Sequence, residues 1–252
     1  MKIAVCVKQI PDPASPYELD SETLTLVRPN EQVLDDTDRY GVEVGLQLAD
    51  QHDGTVTLVS MGPAGNLNGI RQALAMGAHG AVIVDDEALH GSDALTTAKV
   101  LAAAIKRDEF DVVIAGTEST DGYSGVVPQQ VAELLGVPAL TYAKRVAIVD
   151  GSVQIDRQTA SGYDTVEAPL PVLVTVTSGV VEPRYPTFKG IMEAKKKPID
   201  QLTAAELGVS PGPGQRIVSV TTAPERASGE IVVDEGEAYL RIVEVLEQAK
   251  VI

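Results

Sequence analysis

The sequence predicts an α/β protein: a mostly parallel, twisted sheet flanked by helices, with an antiparallel section and an extended C-terminal arm. Three observations lead there. Up to about residue 140, short apolar runs alternate with helix-periodic ones, the rhythm of a sheet built by right-handed crossovers. Hydrophobic residues are 44% of the 252, yet aromatics are only 4% and Trp is absent. The core is therefore Val, Ile, Leu and Ala, which suits strands buried on both faces. Beyond about Ala143, alternating apolar and polar residues surround Asp150-Gly151 and Ser161-Gly162, both hairpin signals.

Taken in order, residues 3–7 read as a strand entered directly from Met1-Lys2, and a long loop follows through Pro11, Pro13 and Pro16. Asp35, Asp36, Thr37 and Asp38 offer caps to a helix near 39–51, where Val42, Leu46 and Ala49 share a face. Residues 55–61 form a second strand, broken by Gly62-Pro63-Ala64-Gly65, and Leu67, Ile70 and Leu74 mark the next helix. Residues 81–84 make a third strand and 94–106 a third helix. The fourth strand, 112–115, ends at Gly116, and a helix over 125–135 is closed by Gly136-Val137-Pro138. Residues 145–149, 152–159 and 163–168 supply the antiparallel strands, and 172–176 one further buried strand.

After Pro198 the organisation loosens. Pro211-Gly212-Pro213-Gly214 and the polar run at 223–229 read as linkers. A last amphipathic helix over 236–249 sets Leu240, Val243 and Leu246 on one side. The expected organisation is a domain over 1–198 and an arm over 199–252. That arm is too poor to bury a core of its own, so it must lie on the domain or on a partner.

The formal net charge of −16 argues against nucleic acid and anionic membrane as partners, since both need clustered cations. One cysteine, Cys6, excludes an internal disulfide and a thiolate metal site, and its ordinary role in a strand is that of a small buried hydrophobe. His52, His79 and His90 stand far apart, without metal-ligand spacing. No apolar run reaches spanning length, and no signal or Arg-rich transit pattern precedes the first strand. The expectation is a cytoplasmic chain without membrane insertion.

In an open α/β sheet, ligands bind outside the carboxyl ends of the strands. The best candidate is the loop after the fourth strand: Gly116, Thr117, Glu118, Ser119, Thr120, Asp121, Gly122, Tyr123, Ser124, Gly125, Val126 and Val127. Its Gly, Ser and Thr residues can surround a phosphate with N–H groups and hydroxyls, and Ser124 and Gly125 are expected near the positive end of the helix dipole. An ordinary strand-to-helix loop with a capping Ser explains the same residues. Neither a Walker A pattern nor a GxGxxG fingerprint is present.

The second candidate lies within 179–198. Pro183 and Pro186 restrict the backbone around Tyr185 and Phe188, and a one-turn helical candidate carries Ile191 and Met192 into Lys195, Lys196 and Lys197. Exposed, Phe188 would anchor a partner's apolar pocket, with Glu182, Arg184 and the lysines around it. Folded inward, Tyr185 and Phe188 would be core aromatics. The three lysines are too few for nucleic acid; they either cap a helix end or steer an acidic partner.

These stretches are similar to the electron transfer flavoprotein β-subunit family along nearly the whole chain. The matching pieces are Val5-Cys6-Val7-Lys8-Gln9, Val59-Ser60-Met61-Gly62-Pro63, Ile70-Arg71-Gln72-Ala73-Leu74-Ala75-Met76-Gly77-Ala78 and the segment beginning at Glu182. The resemblance implies AMP as a buried structural ligand, touching Cys6, residues 35–38, Met61 and the 116–127 loop. It implies a redox FAD held mainly by an α-subunit partner, with the arm wrapped on that subunit. It also implies that Phe188, where the family often has Leu, docks into flavin dehydrogenases such as acyl-CoA dehydrogenases, with delivery to a membrane quinone oxidoreductase. The commoner family loop reads Lys-Gln-Ala-Ile-Asp-Asp-Asp after the glycine; here only Gly116 and Asp121 keep their places, and a cation is lost at Thr117. Gln158, after Arg157, stands where many relatives carry an acidic residue able to pair with the α-subunit. Electron-bifurcating relatives hold a second FAD in place of AMP.

The resemblance thus implies an electron carrier subunit and not an enzyme, and consistent with that the sequence shows no Ser/His/Asp set, paired catalytic carboxylates or nucleophilic Cys context. A nucleotide-hydrolysing enzyme on the same sheet is the competing class.

Overall fold

Alternation along β1 (Lys2–Cys6) sends Ile3 and Val5 to one face of the sheet and Ala4 to the other, all fully buried. The computed structural model describes residues 1–212, 214–221, 224 and 228–252, in two units, Met1–Ile217 and Val218–Ile252. In chain order, β2 (Gln9–Ile10) and β3 (Val33–Leu34) precede α1 (Asp36–Gln51), β4 (Thr55–Met61), α2 (Asn68–Met76), β5 (Gly80–Val84), α3 (Ala94–Ile105) and β6 (Val112–Gly116). Then follow α4 (Val127–Leu135), β7 (Ala139–Val149), β8 (Ser152–Thr159), β9 (Gly162–Pro169), β10 (Val172–Val176), α5 (Phe188–Ala194) and β11 (Ile199–Leu202).

The main sheet has nine strands in the order β11-β5-β4-β1-β6-β10-β7-β8-β9. The strands from β11 through β7 are parallel, and β7, β8 and β9 are joined as antiparallel hairpins. The expected fold class holds. Asp150 and Gly151 both take positive φ, 49° and 81°, as a two-residue hairpin turn requires.

Two cores sandwich the sheet. On one face, Val42 and Leu46 of α1 and Ile70 and Leu74 of α2 meet Ile3, Val5, Leu58 and Ile114. On the other, Val100 and Leu101 of α3 and Val131 of α4 meet Ala4, Val59, Val113 and Leu173. Gly45 lets α1 lie close to the sheet: a Cβ there would sit 3.0 Å from a Val5 methyl.

Several details differ from the sequence reading. α4 starts at Val127 because Gly125 adopts φ +63°, outside the right-handed helix, and Pro128, lacking an N–H, fits the first turn. Ser124 and Gly125 thus precede the N-cap, Val126. β7 begins at Ala139, where it pairs in parallel with β10 before turning into the hairpins. The β2–β3 ribbon has no counterpart in the sequence pattern, because two-residue strands give no periodic signal, yet it pins the base of the 11–32 excursion. β11 pairs with β5, so the first unit continues past residue 198. Of the expected linker positions, Pro213 and several residues of 223–229 lie outside the described residues. In the second unit, α6 (Ala238–Gln248) is the expected amphipathic helix; Asp234 accepts from the N–H groups of Gly236 and Ala238, and Arg241 pairs with Glu230 and Glu244.

Candidate functional site: a carboxylate-laced crevice and an exposed aromatic loop

From β1 the chain winds outward through β4 and β5, then returns through β6 on the other side, so the strand order reverses between β1 and β6. Crevices at such switch points open beyond the carboxyl ends of the strands. Here those ends are Cys6 and Gly116.

Asp35 organises this crevice. It is fully buried at the N-cap of α1 and accepts the backbone N–H of Thr37 (3.0 Å) and its hydroxyl (2.9 Å). Its other oxygen accepts the N–H (2.7 Å) and hydroxyl (3.0 Å) of Thr120. One carboxylate therefore caps a helix and ties down the β6–α4 loop. Gly116 leaves room for its neighbours: a Cβ there would come within 3.1 Å of both Asp38 Oδ1 and Thr37 Oγ1.

Two further carboxylates close the floor. Asp38 accepts the Lys8 backbone N–H at 2.6 Å. Burial and the neighbouring Asp35 charge push its carboxyl well above the usual carboxylate range, against the Lys8 contacts. Asp121 accepts Lys8 Nζ at 2.7 Å and the Arg28 guanidinium. Burial works against the Asp121 charge, but the two cations outweigh it and hold the carboxyl below its ordinary value. Lys8 and Arg28 were not among the predicted site residues; the buried position of Asp121, which demands a cation, was the missing clue. Burial, with Asp38 nearby, pushes the Cys6 thiol up to about 12, so it is no thiolate nucleophile at neutral pH.

The opposite shifts of Asp121 and Asp38 fix a pH signature. Asp121, lowered on folding, contributes stability present above about pH 4 and lost as pH falls through its depressed value. Asp38, raised, contributes most at acid pH and loses that contribution as pH rises through its elevated value. Asp121→Asn is therefore expected to lower Tm at pH 7, with the gap to the parent narrowing as pH falls below 4. A gap independent of pH would contradict this charge assignment.

Beside the crevice lies a cleft of about 520 Å³ between β6, β7, β8, β10 and α1, within the size range of small-molecule sites. Thr37, Thr117 and Glu118 line it, together with Tyr142, Gln158, Thr159, Ala160 and residues 176–178, which only the hairpin topology brings there. Among the other expected contacts, Asp36 faces solvent beside Arg39, and Met61 lines a separate small hollow of about 30 Å³. Tyr123 adopts φ +47°, and Tyr123 and Val126 are exposed, 66% and 45%. Among the described residues, the N–H groups of Ser124, Gly125 and Val126 meet no protein acceptor.

The second candidate sits elsewhere on the same unit. Tyr185 and Phe188 are 84% and 82% exposed, so the inward-folded alternative does not apply. Ile191 and Met192 extend the apolar surface along α5, with Glu182, Lys195 and Lys196 exposed around it. Thr187 caps α5 by accepting the Gly190 N–H at 3.0 Å. Lys197 differs from its two neighbours: its Nζ donates to the Leu74 carbonyl near the end of α2 (2.9 Å), and burial lowers its ammonium pKa. Arg184 is half-buried and bound to Glu43 and Asp50 of α1.

Fold and site thus define a doubly wound α/β protein with a ligand crevice at its switch point and a separate aromatic loop. The electron transfer flavoprotein domain family model matches residues 23–207. The chain is 41% identical over 263 aligned residues to an electron transfer flavoprotein subunit beta of Mycobacterium bovis, covering 99% of each. It is 35% identical to that of Megasphaera elsdenii, covering 97% of this chain and 96% of the relative. It is also 36% identical to the caffeyl-CoA reductase-Etf complex subunit CarD of Acetobacterium woodii, over 84% of this chain and 81% of the relative. The chain belongs to the electron transfer flavoprotein β-subunit family, as its first, second and third matching stretches and the segment after Glu182 implied. Among the described residues no helix is long and apolar enough to cross a membrane.

Proposed function

We propose that this chain is the docking half of an αβ electron carrier. It receives flavin dehydrogenases, such as acyl-CoA dehydrogenases, on the loop carrying Phe188, and electrons pass through the FAD of the αβ pair to a membrane quinone oxidoreductase. The single observation that supports docking is the 82% exposed phenyl ring of Phe188 on a loop tied to two helices. A ring held in water at that exposure is explained by a partner's pocket better than by folding. The acidic remainder of the surface makes Lys195 and Lys196 a local positive spot for steering. Brief, small contacts suit a carrier that must release each partner.

The crevice fits AMP as a structural ligand. The unpartnered N–H groups of residues 124–126 precede α4, where an anionic phosphate is favoured, and Thr117 and Glu118 can meet polar groups from the cleft side. Lys8 and Arg28, both held by Asp121, bring two cations to the same loop. FAD, when bound in the αβ pair, supplies the redox chemistry. This chain's residues only bind, orient and stiffen: Asp35 fixes loop to helix, and Asp121 fixes Lys8 and Arg28. Of the arm expected over 199–252, the part beyond the first unit, Val218–Ile252, is proposed to pack on the α-subunit, with the αβ pair in the cytoplasm.

The test is a nucleotide count on the heterodimer purified with its α-subunit. One FAD and one AMP released per pair on denaturation is the expected result. Two FAD would replace AMP with a second flavin, and ATP hydrolysis by the chain alone would replace the carrier by an enzyme.

A further inference from the structure

We propose that Glu43 is a positioning residue for partner docking: by clamping Arg184 it holds residues 185–188 in their outward setting before any partner arrives. The inference rests on the docking reading above. Glu43 lies in the middle of α1, where its side chain is 4% exposed. Burying a carboxylate on a core-facing helix is costly unless it is paired and hydrogen-bonded. Its contacts point to one purpose. Glu43 accepts Arg184 Nε at 2.8 Å, Arg184 Nη2 at 3.1 Å and the Arg184 backbone N–H at 3.1 Å. Gln47 Nε2 donates to it at 2.9 Å, and Asp50 takes Arg184 Nη2 at 3.1 Å. The fork fixes the guanidinium, and the bond to the N–H fixes the main chain one residue before Tyr185.

The other side of the loop is fastened to α2. A Cβ on Gly190 would fall 2.4 Å from the Ala75 carbonyl oxygen, so α5 lies directly on the α2 backbone. Lys197 then binds the Leu74 carbonyl. The two most exposed aromatic side chains of the first unit thus stand on a stretch gripped before and after. Presetting a loop in its bound form reduces the order that docking must impose, so the clamp acts on association and not on electron transfer within the pair.

The test uses the holo αβ heterodimer as electron acceptor of an acyl-CoA dehydrogenase, with Glu43→Gln, Arg184→Ala, the double variant, and Phe188→Ala as a control. For Glu43→Gln the dehydrogenase's KM for the heterodimer is expected to rise about tenfold, with kcat, FAD content and Tm near those of the parent. The double variant should match Arg184→Ala in KM, because the clamp is already broken. It should also recover the folded yield that Arg184→Ala loses by leaving Glu43 buried and unpaired. Unchanged KM in Glu43→Gln and the double variant, with Phe188→Ala raising it, would overturn the clamp alone. Unchanged KM in Phe188→Ala as well would overturn the docking reading and the clamp with it. Loss of FAD and of kcat together in Glu43→Gln would make Glu43 a residue of general stability and overturn the positioning role.

Discussion

Phe188→Ala is expected to reduce kcat/KM for electron transfer from a flavin dehydrogenase about thirtyfold, while Tm moves by less than about 1 °C. The size follows from an interface anchor worth about 2 kcal/mol on truncation, at about 1.4 kcal/mol per factor of ten. The silence in Tm follows from the ring's position: it is 82% exposed and belongs to neither core. Electron transfer and stability thus separate at this residue, as they should where a side chain serves only a visitor. Phe188→Leu, which keeps an apolar tip, should retain most of the activity. A stopped-flow comparison of FAD reduction in the three heterodimers, paired with calorimetry, reads both quantities. A large fall in Tm with unchanged transfer would show that the ring stabilises its own subunit.

Asp35→Ala should do the reverse, damaging the platform first. Its loss removes the α1 N-cap, worth about 1 kcal/mol. It also leaves the part-buried Thr120 N–H and hydroxyl without their acceptor, about 2 kcal/mol more. Together these come to about 3 kcal/mol, a fall of about 10 °C in Tm for a domain of this size. Because Thr120 anchors the loop that begins at Gly116, AMP content should fall in the same preparation. Asp35→Asn, which keeps an acceptor oxygen, should lose less on both counts. Calorimetry and the released-nucleotide assay decide it; a parent-like Tm with full AMP would mean that Asp35 does not organise the crevice.

The centre of the parallel sheet was legible because strands such as β5 and β6 are short runs of Val, Ile and Ala, and the hairpins because Asp150-Gly151 names its own turn; the polar edge strand β11 carries no such signal. The 116–127 loop was legible as a place, since it follows a buried strand, but not as a circuit. Lys8 and Arg28 reach Asp121 across 113 and 93 residues, and no local pattern carries such pairings. The same holds for Glu43 and Arg184, 141 residues apart, where a charge on a helical face reads as solvated until the partner is seen. Residues 176–178 and Gln158 join the cleft only because β10 slots between β6 and β7. The outward Phe188 was decided by tertiary structure alone: the flanking prolines allow either direction. Lys197 looked like its neighbours and differs from them only because the α2 carboxyl end lies within reach.

Hydrogen exchange on the holo heterodimer, with and without a saturating flavin dehydrogenase, tests the central claim most directly. Slowed exchange in this chain confined to about residues 184–197, where the exposed apolar surface lies, is the result expected of a rigid base with one docking loop. No slowing there, with protection appearing on some other surface of the chain, would contradict it.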